Sequence, residues 1–181
     1  MKIRPAIPSD ASSLAALSIE VWLATYQRDG IGAFFANYAL NEFTTQRAKA
    51  RIADPTEFLS VLEAGSGLIG YVAVATDRTP PLPGVGGPEI STLYVQPRHQ
   101  GKGVGKALLN TALQHCRELG GERTWLTTNS ENTPAIDFYL SQGFEHIGTT
   151  SFRIQDQAYP NHVLELDLRQ DRATGAFRSP E

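Results

Sequence analysis

The stretch QPRHQGKGVGKALL, Gln96 to Leu109, sets three glycines and two lysines into six residues just ahead of an apolar helical pattern. That composition suits an anion. The first backbone N–H groups of a helix have no internal partner, the helix dipole places partial positive charge there, and glycines let a phosphate approach without a Cβ in the way. Two nucleotide motifs can be tested by position. For a Walker A loop, Gln100 stands where the first glycine belongs and Ala107 where the magnesium-binding Ser or Thr belongs. A dinucleotide fingerprint needs a glycine at Lys106 or Leu108. Both fail, leaving Gln-x-x-Gly-x-Gly at Gln100, Gly103 and Gly105, flanked by Gly101, Lys102, Val104 and Lys106. A plain strand-to-helix turn satisfies the same residues, so the motif alone leaves both readings open.

The elements that must hold this loop are legible in outline. KIRPAI reads as a short strand stopped by Pro8, and a helix capped by Ser9 or Asp10 carries Leu14, Leu17, Val21 and Leu23 to about Tyr26. A second helical stretch runs from Phe34 to Pro55. FLSVLEA and GLIGYVAVAT form a hairpin around Gly65, Ser66 and Gly67. Arg78 to Glu89, rich in proline and glycine, is an exposed loop. EISTLYV is a strand, and from Gly103 the residues Val104, Leu108, Leu109, Ala112, Cys116 and Leu119 form a helical stripe ended by Gly120 and Gly121. TWLTT, a helix from Asn132 to Gln142, and a terminal pair FEHIGTTSFRI and VLELDL complete the order. The expected fold is α/β: a mixed, mostly antiparallel sheet with helices on both faces, one domain over residues 1–168 and a polar tail over 169–181.

Composition bounds the function. The 181 residues carry 41% hydrophobic and 19% charged residues with a net charge of −3, so nothing global favours nucleic acid. No apolar run approaches the roughly 18 residues of a membrane span, and the start of the chain has no apolar leader. A single cysteine excludes an internal disulfide and suits a reducing cytoplasm. His99, His115, His146 and His162 show no metal-ligand spacing with a carboxylate, so no metal is expected; Cys116, on its helix's apolar stripe, reads as a small buried hydrophobe.

With its flanks, the loop resembles a known signature. Leu93-Tyr94-Val95, then Gln100 to Lys106, then Ala107-Leu108-Leu109 is similar to the acetyl-CoA-binding segment of the GCN5-related N-acetyltransferases, the GNAT family. A second motif, Asn132-Thr-Pro-Ala135-Ile-Asp-Phe138-Tyr139 followed by Gly143-Phe144, resembles that family's Asn-x-x-Ala-x-x-Phe-Tyr block. The resemblance covers nearly the whole chain and implies the GNAT fold, with acetyl-CoA as co-substrate. It implies that backbone amides of Gly101 to Lys106 hold the diphosphate of CoA. It further implies that Leu93 to Val95 pair with the pantetheine arm where the strand splays from its parallel neighbour, and that Asn132 contacts that arm. Asn132 also reads as a plain helix N-cap, and the two roles are compatible.

Acetyl transfer to an amine needs proximity, a polarised carbonyl, a base and an acid for the departing sulfur. The resemblance implies Val95 N–H for the carbonyl, Tyr139 as the acid and Glu89 as a base acting through water. Against these stand a core aromatic beside Phe138 and a solvated strand end. SIEVWLATY and the C-terminal strand pair look similar to the bacterial spermidine/spermine branch, so a small cationic amine such as a polyamine is the expected acceptor. Trp22, Tyr26, Phe34, Phe35 and Tyr38 either wall an amine pocket or pack the helices, with Glu20, Glu42 or Asp156 supplying negative charge. Acetylation of a protein N-terminus or lysine, and a non-catalytic acyl-CoA-binding module, are the competing readings. No nucleic-acid or membrane partner is expected, and since many family members are dimers, a homodimer is among the assemblies the resemblance allows.

Overall fold

The computed structural model describes residues 1–26, 30–65 and 67–169. By contact density the chain divides into two compact units, Met1–Ala75 with Ile90–Ala112, and Thr76–Glu89 with the described residues from Leu113 onward. The strands form a mixed, mostly antiparallel sheet, the expected class.

In the first unit, β1 (Lys2–Pro5), β2 (Glu57–Ala64), β3 (Gly67–Ala75) and β4 (Glu89–Val95) lie in that order. β1 pairs antiparallel with β2, and β2 with β3. β4 runs antiparallel to β3: Gln96 N–H donates to Ile69 O at 2.9 Å and Ser91 Oγ reaches Ala73 O at 3.4 Å. Helix α1 (Ala11–Tyr26) buries Leu14, Leu17 and Val21 against Leu59, Val61, Tyr71 and Ala73. Each such side chain fully buried is worth about 1.5–3 kcal/mol. Asp10 caps a 3₁₀ turn over Pro8–Asp10 rather than α1 itself: its carboxylate accepts from Ile7 N–H at 2.9 Å and from Arg4 Nη1 and Nη2 at 2.6 and 2.9 Å.

The single helical stretch expected from Phe34 to Pro55 is two helices, α2 (Ala33–Glu42) and α3 (Thr45–Ala53). The chain breaks at Phe43, and Thr44 Oγ1 accepts from Arg47 N–H at 3.2 Å, an N-cap inside a run whose polarity reads as continuous. Ala48 and Ile52 of α3 join the α1 cluster. Helix α4 (Val104–Glu118) covers the opposite face, with Leu108 over Gly70.

In the second unit, β4 begins with Glu89 parallel to Trp125 of β5 (Arg123–Asn129). Beyond β5 lie β7 (Gln157–Asp167) and then β6 (Glu145–Ile154), both pairs antiparallel. Helix α5 is Thr133–Ser141. Strand β7 starts six residues before the expected VLELDL and passes through Pro160. Proline is tolerated here because Pro160 projects its main-chain groups toward the β5 side just past that strand's last residue; its carbonyl accepts from Ser130 N–H at 2.9 Å.

The proline-rich loop is anchored as well as exposed. Arg123 Nη1 donates to Gly84 O at 3.0 Å, Trp125 Nε1 to Gly87 O at 3.1 Å, and Thr124 Oγ1 to Pro88 O at 2.9 Å. Cys116 is buried, as its stripe position implies; its Sγ lies 3.6 Å from Thr124 Oγ1 and burial pushes its thiol up. Beyond Arg169 the expected polar tail lies outside the described residues, as does Ser66 of the β2–β3 turn.

Candidate active site

The glycine loop follows β4 through a 3₁₀ turn over Pro97–His99. Gln100 Nε2 donates back to Val95 O at 3.1 Å, so the glutamine fastens the loop to the end of the strand. Gly101 and Gly103 adopt φ of 70° and 80°, and nothing lies within 4 Å of a Cβ built on either. Positive φ therefore requires these glycines, while the space beside them stays open. Ala107 N–H donates to Gly103 O at 3.0 Å, which makes Gly103 the residue before α4. The amides of Val104, Gly105 and Lys106 then have no partner within the helix. Gly105 belongs to the first helical turn, so its contribution is an amide rather than a special conformation.

Lys102 Nζ donates to Arg98 O at 2.9 Å, tying that lysine back to the 3₁₀ turn, and Lys106 is exposed. An open cradle of amides at a helix start fits a diphosphate without a cation in direct contact. Beside it lies an apolar hollow of about 200 Å³, formed by Ile3, Leu62, Val104 and Ala107 with Lys102 and Gly103 at its lip. The sequence gives no sign of this hollow, because β1 and β2 reach α4 only through the sheet order.

Of the β4 residues, Leu93 is half-buried and Val95 is buried. Since Gln96 N–H points to β3, strand alternation turns Val95 N–H away from β3. Tyr94 offers its backbone only: its ring packs edge-on to Tyr71 at 5.6 Å, and burial pushes its phenol well above the ordinary range.

In the second unit, Glu89 is half-buried at the end of a firmly held Gly87–Pro88 segment. Gly87 has φ of 85°, and a Cβ there would lie 1.9 Å from Arg123 O. Tyr139 is 8% exposed on α5, with Phe138 at 5.2 Å and Phe144 at 5.6 Å between ring centroids. Its hydroxyl makes no hydrogen bond among the described residues, and burial pushes its phenol above the ordinary value. Asn132 is the N-cap of α5: Oδ1 accepts from Ala135 N–H at 3.3 Å, with Pro134 in the first turn.

The residues expected around an amine divide differently. Trp22, 4% exposed, sits amid Tyr26, Tyr38, Phe35 and Phe43 at 4.6, 4.9, 5.7 and 6.1 Å, and Phe34 meets Phe35 edge-on at 5.4 Å. Glu20 accepts from Gln96 Nε2 at 2.7 Å and lies 3.9 Å from Arg98, while Glu42 pairs with Arg47. Both charges are matched within the protein. Asp156 is exposed in the β6–β7 turn.

Sequence reasoning missed a buried network. Arg51 Nε and Nη2 donate to Glu57 at 2.8 Å each, and Nη2 lies 3.3 Å from Thr92 Oγ1. Tyr71 Oη and Ser18 Oγ are 2.8 Å apart. The network ties α3 to the strand that carries Val95, and no spacing rule joins residues so far apart. His146 Nε2 and His162 Nδ1 meet at 2.7 Å across β6 and β7. Among the described residues no group of three or more His, Cys, Asp or Glu could hold a metal, and no helix is long and apolar enough to cross a membrane.

Residues 19–144 match the model of the Acetyltransferase (GNAT) family, and the chain belongs to that family. It is 32% identical over 133 residues to a mycothiol acetyltransferase of Arthrobacter sp. (strain FB24), covering 69% of this chain and 38% of that protein. It is 32% identical over 98 residues to the N-alpha-acetyltransferase RimI of Mycobacterium tuberculosis, covering 54% of this chain and 58% of RimI. The chain thus spans well under two thirds of these relatives' length. The fold is shared with the PaiA N-acetyltransferase of Thermoplasma acidophilum, solved with coenzyme A: TM-score 0.73, 19% identity, 92% of this chain and 98% of that one.

Proposed function

We propose that the chain is an N-acetyltransferase that moves the acetyl group of acetyl-CoA to a primary amine, with a small cationic amine such as a polyamine as acceptor, in the cytoplasm. The observation that carries this reading is the open cradle: Gly101 and Gly103 in left-handed conformations with no atom near their Cβ positions, leading into the free amides of α4. When bound, acetyl-CoA supplies an activated thioester. Gly101, Gly103, Gly105 and Lys106 hold its diphosphate through backbone amides, and Leu93 to Val95 offer strand edge to its arm.

Holding two reactants together can account for several kcal/mol of barrier, of order 7–11 at best. Val95 N–H, turned away from β3, is the donor for the reacting carbonyl. Tyr139, kept neutral by burial and with its hydroxyl uncommitted, donates a proton to the departing sulfur. Glu89 accepts the amine proton through water. A second reading, acetylation of a protein N-terminus, is supported by the RimI relative and by the internal pairing of Glu20 and Glu42, which leaves fewer negative charges for a polycation.

The test is thiol release from acetyl-CoA against polyamines, amino acids, aminoglycosides and peptides, with the acetylated product identified by mass. Turnover confined to polyamines is expected; turnover on peptides alone selects the second reading. Tight acetyl-CoA binding without CoA release for any amine would leave only a binding module.

A further inference from the structure

One buried polar atom on the second unit's sheet has no use in its structure. Asn161 of β7 is 8% exposed, and its Oδ1 has no hydrogen-bond partner among the described residues. Buried acceptors are nearly always satisfied, so an orphaned carbonyl-type oxygen calls for a ligand donor. In register, Asn161 lies between Asn129 of β5 and Thr150 of β6. Directly opposed residues share a face, so the three side chains form a polar row across the sheet. The same face carries Trp125, whose parallel partner is Glu89. The row also lies at the carboxyl end of β5. Ser130, the next residue of the chain, carries a second buried orphan at Oγ, and Asn132 follows two residues later.

We propose that Asn161 Oδ1 is the hydrogen-bond acceptor that binds and orients the incoming amine; the inference rests on the acetyl-transfer reading above. The acceptor chemistry favours a primary amine, which brings two N–H donors when neutral and three when charged. A carboxamide also suits the reaction better than a carboxylate. It orients the nitrogen without stabilising the ammonium, so the amine can still lose the proton that attack requires, whereas a carboxylate would hold the charged form.

The test compares the wild type with Asn161→Leu and Asn161→Asp, using acetyl-CoA and the best amine of the panel. Asn161→Leu raises KM for the amine roughly tenfold, the scale of one lost hydrogen bond. KM for acetyl-CoA stays within about twofold, because the contact is to the amine. Its Tm holds or rises, since an unsatisfied buried amide has been removed. Asn161→Asp keeps amine affinity but moves the kcat profile, which reports the bound amine, to higher pH. An unchanged amine KM in an active Asn161→Leu enzyme would overturn the inference and leave the acetyl-transfer reading intact. A wild type that releases no CoA with any amine overturns that reading, and the inference with it.

Discussion

Tyr139 and Asp10 show how burial and pairing set what single residues can do. Burial pushes the Tyr139 phenol upward, so it stays protonated throughout the pH range of ordinary assays and remains a proton donor. Tyr139→Phe is expected to lower kcat at least tenfold, on the scale of about 10²–10⁴ for acid catalysis, with little change in KM for acetyl-CoA. The wild-type kcat profile should show no alkaline loss from this group below about pH 10. Unchanged turnover in Tyr139→Phe removes the tyrosine from the mechanism. The Arg4 guanidinium holds the Asp10 carboxyl below the usual carboxylate range. Its folded pKa is depressed, so its stabilisation is present above about pH 4 and is lost as pH falls through the folded value. Asp10→Asn should reduce stability by about 2 kcal/mol at pH 7. Urea unfolding at pH 7 and pH 3 checks this: the gap between variant and wild type should shrink at the lower pH. Tyr139, Asn132 and the loop glycines are legible in sequence because each belongs to a local motif. The Asn161 orphan and the Arg51–Thr92 contact are not, because the first depends on which strands lie side by side and the second on how α3 packs against the sheet.

Among the elements, those with strong periodicity or punctuation read correctly: α1 from its apolar stripe, α4 from the glycine start, and α5 from Asn132 and Pro134. The α2–α3 break was obscured because its signal is a single capping threonine in polar sequence, and β7 because Pro160 argues against a central strand until β5 is seen to end beside it. The proline-rich segment looks like free loop in sequence, yet three hydrogen bonds from β5 hold it. Gly87→Ala tests that anchorage. Its Cβ would meet Arg123 O at 1.9 Å in a backbone conformation of φ 85°, and a loss of about 3 kcal/mol in chemical unfolding is expected. A variant as stable as the wild type would show that the loop does not sit on β5 as described.

For the whole molecule, ordinary composition and a net charge of −3 agree with the proposal that backbone geometry recognises the cofactor. Lys102 is tied to Arg98 O and Lys106 is exposed, so the proposed cradle rests on amides first and on these lysines second. Family membership covers residues 19–144, while the proposed choice of acceptor rests on particular side chains such as Asn161. The central claim is that the amides around Gly101 and Gly103 hold acetyl-CoA, and calorimetric titration of acetyl-CoA into wild type, Lys102→Ala and Gly103→Val addresses it most directly. Forcing a β-branched residue into the left-handed region costs about 1–2 kcal/mol and distorts the loop, so Gly103→Val should bind at least tenfold more weakly. Lys102→Ala should stay within a few-fold of wild type, as expected for a screened surface charge. Equal affinity in wild type and Gly103→Val, or no binding to the wild type at all, would contradict the account.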